Sequence, residues 1–252
     1  MKDDNQLKFL AYLLAAIGAA LVGFAVVHAI KTNAIQVQTL SREARKAYNT
    51  ADYPAALSSL QYLADTLSYD QDAARLDLAH AGFLTSRYDT SNRARDLIKD
   101  GYPLDTAALA DMKNALESTG AIGNYGKLTE TAESDYYASY AYNQLGVIAY
   151  IMRNPESEAE AMTEAAADFK EALRKDPSNE FARYNYELIR TRIDYPEMVM
   201  SQVRELIHQR KYKDARELLR KAFARDNQIQ RSYADYAERL ENIIRIDSLS
   251  RS

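Results

Sequence analysis

Apolar and polar positions divide the chain into two regimes. From Phe9 to Ile30 the run FLAYLLAAIGAALVGFAVVHAI holds no charged residue, and Lys8 and Lys31 close its ends. At about 1.5 Å of rise per residue this matches a hydrocarbon core of about 30 Å, which predicts one transmembrane helix. Beyond Ala34 the apolar residues recur every three or four positions instead of continuously, the pattern of helices that bury one face. The stretch IQVQTLSREARKAYNT reads as a helical stalk leading away from the span. Further helices are expected over 105–118, in a hairpin over 134–177, in the segment ending at Tyr195-Pro196, and in a terminal hairpin and cap over 198–249. Gly101-Tyr102-Pro103 reads as a break and STGAIGNYGK as a Gly-rich connector. No G-x-x-x-x-G-K-[ST] pattern and no preceding apolar strand support a phosphate cradle there.

Composition agrees with an all-α fold. Only eight Gly and five Pro punctuate 252 residues, and Ala, Leu, Glu, Lys and Arg, which lose little side-chain freedom in a helix, are plentiful. The organisation that follows is a tail over 1–8, a span over 9–30 and a helical domain over 31–252. A cleaved secretory signal is the competing reading of the apolar run, because Val27-His28-Ala29 offers a small-residue cleavage pattern. The run is longer than the usual h-region of about 7–15 residues and its preceding tail carries Asp3 and Asp4, which favours an uncleaved anchor. Lys31, Arg42, Arg45 and Lys46 outnumber Lys2 and Lys8, a bias toward an inside C-terminal flank. Long domains are exported despite such flanks, so charge leaves both orientations available. Within the span Ala11, Ala15, Ala19 and Gly23 recur every four residues and form a small-residue ridge suited to packing another transmembrane helix.

The net charge of −4 is too mild to indicate nucleic-acid binding. Residues 201–252 hold twelve Lys or Arg against eight Asp or Glu, so this end carries +4 and the remainder −8. A solvated helical face explains that excess most simply; an acidic partner or a membrane surface is the alternative. The absence of Cys excludes disulfides, thiolate metal sites and Cys nucleophiles. The three histidines, His28, His80 and His208, are far apart and lack H-E-x-x-H spacing, and no G-x-S-x-G elbow is present. Glu156, Glu158 and Glu160 read as one solvated acidic loop. No enzyme activity, cofactor or metal is therefore expected.

The hairpin residues carry a resemblance. Ala165, Phe169, Ala172 and Pro177 match the second helix of a tetratricopeptide repeat, and Tyr142, Leu145 and Gly146 match the aromatic, Leu and Gly positions of the first. Tyr53 with Ala56, and Tyr212 with Ala215, repeat the aromatic-to-Ala spacing, and Tyr88 follows Tyr53 by about one repeat period. Gly146 to Ala165 is nineteen residues where the family has twelve, an excess of seven assigned to the loop near Asn154. The chain thus resembles a tetratricopeptide-repeat protein over most of 40–230, which implies an irregular α-solenoid of helical hairpins with a groove for protein segments. KDPSNEFARYNYELI is similar to a segment of the membrane-anchored repeat proteins of the bacterial Bat aerotolerance group, which accompany MoxR-type ATPases and von Willebrand A-type membrane proteins.

Nineteen Tyr and no Trp supply the positive functional signal, since Tyr joins an apolar body to a polar tip. If Tyr142 holds the fourth position of the repeat, the resemblance implies a partner groove lined by Tyr140, Asn143, Val147 and Tyr150, with Tyr184 and Asn185 from the next helix. Asn185 falls on a position that some family members use to clamp a C-terminal carboxylate, but the accompanying Lys residues are missing. The expected function is a non-catalytic, membrane-anchored scaffold that assembles a bacterial envelope complex. Its partners would be other membrane proteins, von Willebrand A-type ones among them, with the lipid bilayer engaged through the N-terminal helix. The expected location is the inner membrane, single-pass, with the repeat domain in the periplasm. The alternative is a chaperone-like accessory of the protein-export translocon.

Overall fold

The computed structural model describes the backbone of residues 2–67, 69 and 71–250, and the side chains of 19, 21–67, 69, 71–226 and 229–249. The described residues form eleven helices and no strand, so the fold is all-α. In order these are α1 (Lys2–Asn49), α2 (Tyr53–Asp65), α3 (Asp72–Asp89), α4 (Asn92–Asp100), α5 (Thr106–Ser118), α6 (Ala121–Thr131), α7 (Asp135–Ile151), α8 (Glu158–Lys175), α9 (Glu180–His208), α10 (Tyr212–Arg225) and α11 (Asn227–Ser250). They fall into two compact units, Met1–Asp89 with Ala115–Leu128, and Thr90–Asn114 with Thr129–Ser252.

In the first unit α1 is continuous, about 72 Å of helix in which the apolar run and the expected stalk are one element. Its far end buries Ala44 against Ala56, Leu57, Leu60 and Leu63 of α2 and Leu78 and Ala81 of α3. Asp52 starts α2 by accepting the Ala55 N–H at 3.3 Å, with Pro54 in the first turn, where its missing N–H is not needed. The rings of Tyr53 and Tyr88, one repeat period apart in sequence, meet at 5.9 Å. The expected span 9–30 lies in α1, but the side chains of 1–18 and of Ala20 are outside the described residues, Ala11 and Ala15 among them. Ala19 is exposed and nothing approaches Gly23. Among the described residues no helix is long and apolar enough to cross a membrane.

The Gly-rich connector proves to be mostly helix. Gly120, at φ +67, ends α5 in the left-handed region that favours glycine, and α6 begins immediately afterwards. Ala121, Tyr125 and Leu128 recur at helical spacing and are fully buried, and their burial outweighs the weak helix propensity of Gly123 and Gly126.

The second unit is a run of helix pairs joined by short turns, which place consecutive helices side by side. Between α7 and α8 the residues that matched the repeat motif make the close approach. A Cβ added at Gly146 would lie 2.7 and 2.9 Å from ring carbons of Phe169 and 3.0 Å from the Ala165 carbonyl oxygen. Phe169 joins Met162, Ala165 and Ile189 in a core that Val147, Tyr150 and Tyr186 flank. The acidic stretch is shorter as a loop than expected: Asn154 Oδ1 accepts the N–H groups of Glu156 and Ser157, and Glu158 and Glu160 already belong to the first turn of α8. Carboxylates are favoured there by the helix dipole.

The expected boundary at Tyr195-Pro196 is also corrected, because α9 runs through Pro196. An interior proline costs about 3 kcal/mol through its lost hydrogen bond. Burial on both sides holds α9 together, with Ile189 in the α7–α8 core and Val199, Met200 and Val203 in a second core with Ala215, Leu219, Ala222, Ile229 and Leu240 of α10 and α11.

Gly146→Ala is expected to lower stability by about 1–3 kcal/mol, because the buried Phe169 ring and the α8 backbone have no room to retreat. Urea titration followed by far-ultraviolet circular dichroism reads this as a lower midpoint. An unchanged midpoint would mean that α7 and α8 can separate freely.

Candidate protein-binding surface

Four polar side chains set how α7, α8 and α9 meet. Ser139 Oγ of α7 donates to the Ala172 carbonyl at 2.8 Å, and Asn179 Nδ2 donates to Ser139 Oγ at 2.9 Å. Asn179 Oδ1 accepts the Ala182 N–H at 3.1 Å and so caps α9. One turn further along, Asn185 Nδ2 donates to Asn143 Oδ1 at 2.9 Å. Ser139, Asn143 and Asn179 are all buried, so each bond satisfies a group that water cannot reach.

This register decides what remains outside. With Ala182 and Ile189 turned into the core, α9 presents Phe181 (64 % exposed), Tyr184 (67 %) and Leu188 (44 %) on its outer face. These positions recur at i, i+3 and i+7 and form one apolar strip. Tyr140 of α7 meets Phe181 edge-on at 6.3 Å and Tyr136 at 4.7 Å, which extends the strip onto α7. Burial raises the Tyr140 phenol above its ordinary value, helped by the Tyr136 hydroxyl and the nearby Asp176 and Glu180 carboxylates. The surface is therefore aromatic with an acidic margin.

Of the residues expected in the groove, Tyr140 and Tyr184 lie on this surface. Asn143 does not line it, because it is buried and its oxygen is held by Asn185. Asn185 is turned to that same bond, and Val147 packs into the core around Phe169. Tyr150 is engaged by two arginines: the Arg153 guanidinium lies 3.9 Å from its ring centre, and Arg192 lies 5.3 Å away and donates to its hydroxyl. Phe181, Leu188 and Tyr136 complete the surface; Phe181 and Leu188 fall within the segment KDPSNEFARYNYELI, but none of the three is among the residues expected in the groove. For Phe181 and Leu188 the signal is an apolar spacing on α9, turned by about a third of a revolution from the Ala182–Ile189 stripe; Tyr136 lies on α7.

Sequence reasoning also missed Arg153, a buried cation. It donates to the Tyr150 carbonyl at 2.7 Å and to the Gly101 carbonyl, pairs with Glu158 at 3.4 Å, and its own carbonyl accepts the Leu104 N–H at 2.9 Å. This staple ties the α7–α8 turn to residues 101–104. Each of its three guanidinium nitrogens has an internal acceptor, which gives it a structural role.

In the first unit His80 of α3 and Tyr125 of α6 form the chemically most distinctive pair, with Nδ1 2.6 Å from the phenol oxygen. Tyr125 is fully buried and its phenol is pushed up by burial, so it is neutral and shares one hydrogen bond with Nδ1. His80 is correspondingly neutral, its pKa lowered by burial from 6.5 to about 4. Among the described residues no group of three or more His, Asp or Glu is placed to hold a metal ion.

The His80 shift has a definite sign. Between about pH 4 and 6.5 the unfolded chain binds a proton at this position that the folded chain refuses, so stability present above pH 6.5 is lost as the pH falls toward 4. The full span corresponds to about 3 kcal/mol. Asp168 works in the opposite sense, since burial and then Glu164 raise its pKa to about 6. The His80 contribution is therefore read as a difference: His80→Gln should flatten the fall in urea-unfolding free energy between pH 7 and pH 4 by up to about 3 kcal/mol. An identical slope in both proteins would rule out the buried neutral imidazole.

Comparison of this chain with protein-family models, with curated proteins and with solved structures yields no match.

Proposed function

We propose that the protein is a non-catalytic scaffold that binds other proteins through the α7–α9 surface and is anchored to a membrane through α1. The observation that carries this reading is the strip Phe181, Tyr184 and Leu188, exposed on a helix whose other face is fixed by buried hydrogen bonds. Exposed aromatic side chains on a rigid element lose little conformational entropy on binding, and Tyr and Phe are enriched at protein interfaces. The anchor reading rests on the uncharged run Phe9–Ile30. In its described part Leu21, Val22, Phe24, Val26, Val27 and Ile30 are all more than half exposed, with no protein surface packed on them. A lipid phase would cover such side chains at no desolvation cost. From the family resemblance, the partners are membrane proteins of the bacterial envelope, of von Willebrand A type, with the helical domain in the periplasm.

Two measurements test this. Phe181→Ala with Tyr184→Ala should reduce recovery of co-purifying membrane proteins by roughly tenfold or more, as expected for loss of two aromatic anchors, while leaving the unfolding midpoint nearly unchanged. Undiminished recovery would move the binding site elsewhere, and recovery of translocon subunits with unfolded clients would favour the chaperone reading. Separately, the full chain should stay in the membrane pellet after alkaline extraction. Its release into the supernatant would refute the anchor.

A further inference from the structure

We propose that the aromatic strip on α9 receives the C-terminal strip of α11 from a second copy of the chain, joining copies head to tail. This rests on the reading of the α7–α9 surface as a protein-binding site and names its occupant. The second unit leaves another apolar face uncovered: Ile243, Ile246 (64 % exposed) and Leu249 (71 %) recur at three-residue spacing near the end of α11. Leu240, one turn earlier, is buried in the α9–α11 core and Ile244 still packs against it, so the open face is the side of α11 turned away from that core.

The two strips match in length and charge. Phe181 to Leu188 covers about 10.5 Å of helix and Ile243 to Leu249 about 9 Å, so Tyr184 and Ile246 oppose each other in either direction of packing. Glu180 and Glu187 edge the α9 strip and are exposed. Unlike Glu171, Glu197 and Glu217, they hold no arginine among the described residues. Arg239 stands one turn before Ile243 on the same side as Ile246, exposed and likewise without a carboxylate among the described residues. An apolar strip led by a cation thus faces an aromatic strip edged by anions. Such complementarity sets register more than affinity.

A chain cannot satisfy its own α9 strip in this fold. Arg225 at the end of α10 lies 4.4 Å over the Tyr195 ring, and Glu241 of α11 pairs with Arg216 near the start of α10 at 3.5 Å. The C-terminal part of α11 therefore lies toward the α9–α10 turn, at the opposite end of a helix about 43 Å long from Phe181. Contacts between different patches on two copies leave each copy with one patch open, and they propagate as chains or rings. Each strip is small beside the total area of about 1,600 Å² in a standard stable complex, so the contact is weak in dilute solution. Tethering of every copy in one membrane raises the effective concentration at which it forms.

The chain has no native cysteine, which allows a direct test. Full-length Tyr184→Cys and Ile246→Cys proteins, carrying different affinity tags, are co-reconstituted into vesicles and treated with a short bis-maleimide. The expected result is a doubly tagged dimer well above the yield from Ile246→Cys paired with a control Thr163→Cys on the exposed face of α8. Glu180→Arg with Glu187→Arg in the Tyr184→Cys copy should cut the band about fivefold. Arg239→Glu in the other copy should restore it. A mixed band no stronger than the control overturns the proposal, as does equal cross-linking of Tyr184→Cys with itself, which would mean a symmetric contact. If the band is absent while partner recovery still depends on Phe181 and Tyr184, the surface stands and its occupant is a different protein. If both fail, the binding reading itself falls.

Discussion

The arrangement of the second unit turns on Asn179. One buried side chain caps α9 through its oxygen and, through its nitrogen, holds Ser139 of α7, which in turn donates to the last turns of α8 at Ala172. A buried amide or hydroxyl left without a partner costs about 1–3 kcal/mol, so a shift of any of these three helices by one residue is penalised at once. Apolar packing alone would tolerate several registers. The polar bonds select one, and the Asn143–Asn185 bond repeats the selection a turn along. Phe181 lies two residues past the cap, and its outward direction follows from that register.

Small residues make this proximity possible. Ala165, Ala172 and Ala182 are fully buried, and Gly146 lets the Phe169 ring sit where a Cβ would collide with it. Close helices exclude water from the Ser139 and Asn179 bonds, which strengthens them, while those bonds keep the small residues facing one another. α9 then carries the arrangement forward, since its first half belongs to the α7–α8 core and its second half to the core with α10 and α11. Continuity across Pro196 is a consequence of those two cores, each anchoring one side of the interrupted hydrogen-bond ladder.

Buried charge and polarity are distributed by the same logic. Arg153 is tolerated inside because carbonyls, Glu158 and the Tyr150 ring answer its donors and its face. His80 has one close partner, the Tyr125 phenol, and remains neutral. An array of helices can thus house polar groups between its layers when each meets a complementary group, and these groups give the packing a specificity that Ala and Leu do not.

Helical character was legible along most of the chain, because a 3.6-residue period and good helix formers are local properties. So was the α7–α8 approach, because Gly146, Ala165 and Ala172 admit a close neighbour wherever they occur. Breaks were harder. Pro196 and the glycines around α6 read as interruptions, since propensity is visible locally while the burial that overrides it comes from residues far away in sequence. The surface was hardest. Asn143 and Tyr184 read alike as groove-lining positions, yet one is buried in an interhelical bond and the other faces solvent. Periodicity states which residues share a face. Only the packing of α7 against α9 decides whether that face meets a neighbouring helix or is left open, because the decision belongs to the partner and is not written in the helix itself.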